Sequence, residues 1–273
     1  MNTDRTPAIR IGIAGLGAIG KALAHKLDRG EVPGCALAAV SGRDPAKTAR
    51  FIAELTAPVP AVALAALAAH ADVVVECAPS ALLREIAAPV ISAGKKVVVL
   101  SVGALLSHPE LTSGELGSGQ ILVPTGALIG LDAVTAAAEG TIHSVRMVTR
   151  KPPSGLNGAP YLVENNIDID DLKAPLKIFN GTPREAAIGF PANLNVAVAL
   201  SLAGIGPDKT VLEIWADPTL TRNTHQITVD SDSARFTMTI ENIPSENPRT
   251  GRITVQSVVA LLRKLSAPVR VGT

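Results

Sequence analysis

A chain of 273 residues is long enough for one large or two modest domains, each with its own core. Apolar residues make up 47% of it and charges nearly cancel at +1, which argues against disorder and against a nucleic-acid partner. Two cysteines without metal-type spacing argue against a disulfide framework and a cysteine metal site.

The first element is the most informative. An apolar strand over 9–14 runs into Gly15-Leu-Gly17-Ala18-Ile19-Gly20, a G-x-G-x-x-G turn, and then a helix over 18–29 that stops at Gly30. Gly15 makes the tight turn, Gly17 lets the backbone approach a pyrophosphate, and Gly20 lets helix and sheet pack closely. The helix N-terminus then faces the phosphates. The motif alone is weak; following a strand and opening a helix, it reads as a dinucleotide site. Next come a buried strand over 37–40, a helix capped by Asp44 with Pro45 in its first position, and a strand over 72–76. Ser80 is expected to cap a helix to Ala93, followed by strands over 96–100 and 121–123. Cys35 falls at a strand start and Cys77 at a strand end. Such near-continuous Val/Ile/Leu runs belong to strands covered on both faces, so a doubly wound, Rossmann-type parallel sheet is expected.

Past Pro124 the pattern changes to longer strands with some alternation, over 142–149, 211–215, 226–229 and 234–240, interrupted by a helix over 191–202. This is an α+β segment with an open mixed sheet. A final helix over 254–264 follows Pro248 and the turn Arg249-Thr250-Gly251. The expected organisation is a dinucleotide-binding domain over 1–125, a substrate domain over 126–247, and a segment 248–273 packing back on the first. An open sheet face suits a twofold homodimer. The N-terminal residues lack a signal peptide's apolar core, and the longest apolar run, 57–69, is interrupted by Pro60 and too short for a bilayer. A cytoplasmic protein with no membrane partner is expected.

Cofactor choice turns on the end of the second strand. An NAD site places Asp or Glu there to accept from the ribose hydroxyl. Here the stretch reads Val40-Ser41-Gly42-Arg43-Asp44, with Ser41 where the acid would stand. Ser41 and Arg43 can hold a 2′-phosphate, and Asp44 is better used as a helix cap, so the site is expected to accept NADP without excluding NAD.

Of five histidines, His25, His70, His108 and His143 read as surface or packing residues, the ordinary fate of an isolated histidine. His225 differs. It lies in Asp217-Pro-Thr-Leu-Thr-Arg222-Asn-Thr-His225-Gln226, read as a polar turn entering a strand, where an imidazole can serve as a general base.

At this point the chain resembles the L-aspartate dehydrogenase family over nearly its whole length. The residues carrying the likeness are Gly15 to Gly20, Val75-Glu-Cys-Ala78, Ser101-Val-Gly-Ala104, Gly126-Ala127-Leu-Ile-Gly-Leu-Asp-Ala133 and Lys151-Pro-Pro153. Further on come Phe190-Pro-Ala-Asn-Leu-Asn195-Val-Ala197, Arg222-Asn-Thr-His225 and Pro244-Ser-Glu-Asn-Pro-Arg-Thr250. The last three together are the restrictive ones. The resemblance implies that His225 is the active-site histidine and that Ala127 and Asn195 contact the nicotinamide cofactor; Ala78 is counted with those contacts. It implies NAD(P)-dependent, reversible oxidative deamination of L-aspartate to oxaloacetate and ammonia through iminoaspartate, with a place in pyridine nucleotide synthesis as one outcome.

That chemistry needs a hydride acceptor, a base and cationic groups for two carboxylates. Arg222 as a bidentate clamp and Lys151 as a point charge are the candidates, each weighed against an ordinary solvated surface charge. Asn195, at a helix start, is weighed against a cap. No metal is expected. Two alternatives stay open: another two-domain reductase, of the dihydrodipicolinate-reductase or homoserine-dehydrogenase kind, and a non-catalytic NAD(P)-binding sensor.

Overall fold

The computed structural model describes residues 7–191, 194–244 and 252–273. The turn at Arg249 to Gly251, Pro248, most of the 244–250 motif and two residues of the 190–197 motif therefore lie outside the described residues.

Contacts divide the chain into two compact units. The first comprises the described residues up to Pro124 together with Val255–Val271. It contains β1 (Ile9–Ala14), α1 (Ala18–Asp28), β2 (Cys35–Ser41), α2 (Pro45–Ala53), α3 (Leu67–His70), β3 (Val73–Glu76), α4 (Leu83–Ser92), β4 (Lys96–Val99) and β5 (Gln120–Leu122). The strands form one parallel sheet in the order β2-β1-β3-β4-β5. Beyond β2 an isolated parallel bridge joins Val40 to Ala61, a remnant of the further strand that a full Rossmann half would carry. β3 and β4 are buried almost throughout, as strands covered on both faces must be.

Asp44 caps α2, accepting from the Lys47 amide at 3.1 Å, with Pro45 in the first helical position. Ser80 does not cap α4. It opens a 3-10 turn over Ser80–Leu82, and Leu82, which has no capping oxygen, stands at the N-cap. A tightened first turn has replaced the side-chain cap that the serine suggested.

The second unit comprises Thr125 to Thr254 with the last two residues. Its elements are α5 (Leu131–Ala138), β6 (Ile142–Lys151), α6 (Pro160–Glu164), β7 (Leu176–Gly181), α7 (Pro183–Gly189), α8 (Asn195–Ala203), β8 (Val211–Ala216), β9 (Thr224–Ser231) and β10 (Arg235–Glu241). The strands form a mixed sheet, β10-β9-β6-β8-β7, in which only β6 and β8 run parallel.

One face of this sheet is covered. Val145, Met147, Thr149 and Lys151 alternate along β6, and His225, Ile227 and Val229 stand opposite on β9; all are buried. The other face is more polar and more open, with Arg146, Gln226, Thr237 and Arg235 exposed, although Val148 and Glu213 on it are buried. There Glu213 accepts from Arg146 at 2.7 Å and from the Trp215 indole at 3.0 Å, and the Arg150 guanidinium lies 4.5 Å from the centre of the Trp215 ring.

The last helix, α9 (Ile253–Ser266), buries Val258 and Leu262 against Ile11, Leu27, Val32 and Cys35. The Leu262 carbonyl accepts from the Cys35 thiol at 3.6 Å, and the Pro33 carbonyl from the Ser266 hydroxyl at 2.8 Å. No helix among the described residues is long and apolar enough to cross a membrane.

Candidate active site

In the first unit the glycine turn is built by backbone. Gly15 leaves β1 at φ +102°, a conformation side chains rarely adopt, and a Cβ there would stand 2.6 Å from the Cys77 carbonyl oxygen. Its amide donates to the Ser41 carbonyl at 2.8 Å, which ties the end of β2 to the turn. A Cβ on Gly20 would overlap the Gly15 carbonyl oxygen, so α1 can sit this close only with glycine. Gly17 is different: a Cβ there would meet nothing within 4 Å, so its exposed backbone faces open space. Gly17 is also the N-cap of α1, with no side-chain capping bond and no acidic residue in the first turn. Exposed Ala18 and half-buried Ile19 follow. A helix N-terminus free of its own carboxylates and approached over bare glycine fits a pyrophosphate.

Around this turn, Glu76 at the end of β3 is wholly buried. Its carboxylate accepts from the amides of Ala78 (3.1 Å), Leu100 (3.1 Å) and Ser101 (2.8 Å) and from the Ser101 hydroxyl (3.0 Å). Burial pushes this carboxyl upward, with those bonds pulling the other way. In the sequence Glu76 reads as a strand end, and a carboxylate closing a run of valines is the signal that it pins two loops. Ser41 is buried and Arg43 exposed, while the Asp44 carboxylate, held below its usual range mainly by the Lys47 amide, is committed to the cap.

In the second unit the structure corrects the expected setting of His225. It lies inside β9, not in a polar turn, and only 2% of it is exposed. The polar run before it hid the fact that the strand begins at Thr224. Across the sheet His225 pairs with Thr149, whose hydroxyl lies 3.2 Å from imidazole Nδ1. Lys151, two residues further along the same face, is also buried, so the solvated-surface alternative fails for it. Burial depresses the Lys151 ammonium to about 8. Burial, and then the Lys151 charge, lowers His225 to about 3, so the imidazole is neutral at neutral pH.

Ala127 and Asn242 adjoin this face. The Ala127 carbonyl accepts from the Asn242 side-chain amide at 2.9 Å, and the Asn242 backbone amide donates to Asn223. Asn195 is exposed in the first helical position of α8; Leu194 holds the N-cap, which removes the cap alternative. Arg222 is not brought to the imidazole. It pairs with Glu241 at 3.8 Å, and Glu241 follows Ile240, the residue opposite His225, so its side chain leaves from the other face. Thr149 was missed entirely, although a threonine two residues before a lysine on a strand shares its face.

Because the folded imidazole binds its proton far more weakly than an unfolded one, the unfolded chain holds the extra proton between pH 3 and 6.5. Stability therefore falls as pH drops through that window, by at most about 1.4 kcal/mol per unit from this group. Urea unfolding at stepped pH should show that slope in the wild type and a flatter one in His225→Gln.

Comparison with known proteins decides the family. A family model described as "Aspartate dehydrogenase, C-terminal" matches residues 132–265, and one described as "Homoserine dehydrogenase, NAD binding domain" matches residues 15–116. The chain is 69% identical over 264 residues to L-aspartate dehydrogenase 3 of Bordetella bronchiseptica, covering 96% of this chain and 97% of that protein. It belongs to the L-aspartate dehydrogenase family. The L-aspartate dehydrogenase of Bradyrhizobium diazoefficiens is 60% identical, over 99% of this chain and 97% of its own length. Aspartate dehydrogenase of Thermotoga maritima shares the fold, with a TM-score of 0.72 at 24% identity over 97% of this chain and 99% of that one. The family membership matches the resemblance read from the motifs, and the Rossmann-type sheet with a second mixed-sheet unit is the family's fold.

Proposed function

We propose that this chain catalyses the NAD(P)-dependent, reversible oxidative deamination of L-aspartate, and that His225 is its general base. L-aspartate, NAD(P)⁺ and water give oxaloacetate, ammonium, NAD(P)H and a proton. The observation that carries the assignment of roles is the buried His225–Thr149–Lys151 cluster on the covered face of the second sheet. Two titratable side chains and a hydroxyl together are costly to bury, which points to function.

The Gly15–Gly20 turn, with Ala78, Ala127 and Asn195 proposed as further contacts, would hold the dinucleotide, which would supply the hydride acceptor. Lys151 binds one substrate carboxylate, a strong interaction in a setting this dry. Arg222 can take the other only by leaving Glu241 and turning from the open face toward the covered one, and an exposed ion pair is cheap to break. His225 is neutral in the free enzyme, the state a base requires. A dicarboxylate arriving beside Lys151 offsets the positive field that weakens the imidazole, so its basicity rises when substrate is present. His225 takes a proton from the substrate ammonium and releases it as the proton of the overall reaction; it then takes one from the water that attacks the imine carbon and returns it to the departing ammonia. The iminoaspartate formed on the way also links this chemistry to pyridine nucleotide synthesis in the cytoplasm.

We further propose a homodimer through the open face of the second sheet, which a second copy would cover; sedimentation as a monomer would refute it. The assay that tests the activity follows reduced nicotinamide absorbance with a panel of amino acids. Aspartate-dependent reduction is expected. Cofactor binding without turnover on any amino acid would favour a sensor.

Cofactor preference gives a separate prediction. With Asp44 committed to its cap, Arg43→Asp should weaken NADP relative to NAD by roughly 2–4 kcal/mol, from a lost charge-assisted pair plus added repulsion. Equal changes in the two dissociation constants would remove Arg43 from the 2′-phosphate site.

A further inference from the structure

A neutral imidazole has one N–H, and it can act as a base only through the other nitrogen. Which nitrogen carries the proton is set by the partner of Nδ1. For His225 that partner is Thr149: the two residues stand directly opposite on β9 and β6, with hydroxyl and Nδ1 3.2 Å apart. Thr149 is 3% exposed and His225 2%, so bulk water does not compete for this contact. Threonine is also stiff at χ1, so its hydroxyl oxygen is held in place by the strand backbone.

A hydroxyl can donate or accept, and the two cases differ in consequence. If Thr149 donates to Nδ1, the proton sits on Nε2 and that nitrogen is blocked. If Thr149 accepts from Nδ1–H, Nε2 presents a lone pair away from β6. We infer that Thr149 is a positioning residue whose hydroxyl oxygen accepts the His225 Nδ1 proton, fixing the tautomer in which Nε2 is the base. The inference rests on the reading of His225 as the general base. It adds that the base is set by a neutral partner, where many catalytic histidines use a carboxylate. A carboxylate would neutralise Lys151, the charge required for substrate; a hydroxyl leaves it intact.

The test compares Thr149→Val, close in shape but without the hydroxyl, with Thr149→Ser, which restores it. Long-range ¹H–¹⁵N spectra of the wild type are recorded to read the tautomer of His225 directly. Expected are an Nδ1–H tautomer in the wild type and a kcat about 10–100-fold lower in Thr149→Val, from a buried N–H left unsatisfied. KM for aspartate and the NAD(P) dissociation constant should stay near wild type, and Thr149→Ser should recover most of the loss. An Nε2–H tautomer in the wild type overturns the inference even if Thr149→Val fails to fold. So does an undiminished kcat in folded Thr149→Val, or a serine variant as impaired as the valine one. Failure of the underlying reading is separate: it appears as retained turnover in His225→Gln, whatever the Thr149 variants do.

Discussion

His225→Gln should be folded, bind NAD(P) as tightly as wild type, and turn over aspartate about 10²–10⁴-fold more slowly, the usual contribution of a positioned base. Burial of the residue dictates the choice of substitution. Alanine would leave a cavity and the Thr149 hydroxyl without its partner, confusing loss of chemistry with loss of packing. Glutamine approximates the volume but cannot accept a proton at neutral pH. The glycine turn proposed to bind the pyrophosphate is made by other residues, in the other unit, so cofactor affinity is the internal control. Wild-type turnover in a folded, cofactor-binding variant would end the assignment of His225 as base.

Lys151→Met should do the opposite to affinity and stability. Removing the buried cation costs substrate binding about 2–5 kcal/mol, a rise in KM for aspartate of some thirtyfold to several thousandfold. The same change should raise melting temperature at neutral pH, because methionine fills the space without a desolvated charge. The pH dependence fixes the cause. The ammonium titrates near 8 in the folded protein and near 10.5 unfolded, so its penalty is fully present below pH 8 and is relieved as pH rises to 10.5. The stability advantage of Lys151→Met should therefore shrink across that window. An unchanged KM, or a stability difference flat from pH 8 to 10.5, would contradict the role given to Lys151.

How far the sequence could be read depended on where each signal resides. The Gly15–Gly20 turn was legible because its constraints are local, and the parallel sheet because strands buried on both faces are written as runs of valine. The cap at Asp44 was legible for the same local reason. In the second unit β7, reading Leu-Lys-Ile-Phe-Asn-Gly, went unread, since a bulged strand with two polar residues has no clean alternation. Helix α5 was also missed: it is two turns long and begins at Gly130 in the left-handed region without a side-chain cap. Burial of His225 and Lys151 was the largest gap. Each is polar, and only the pairing of β6 with β9 puts them on one covered face. The motif singled them out as candidates; the register gave them their neighbours.

Helix α9 has a consequence for how the protein is made. The apolar groove left by Leu27, Val32 and Cys35 is filled by Val258 and Leu262, which are synthesised only after residues 125–254 of the second unit. Domains of a growing chain ordinarily fold in order of emergence. Here the unit that starts first cannot finish first. The nascent nucleotide-binding unit must wait, its groove open, while more than a hundred later residues leave the ribosome. The mixed-sheet unit, continuous in sequence but for the last two residues, can reach a near-native state before the earlier one is sealed. A translating ribosome that stalls between the units would thus display an unsealed apolar cleft, the kind of surface that holdase chaperones cover.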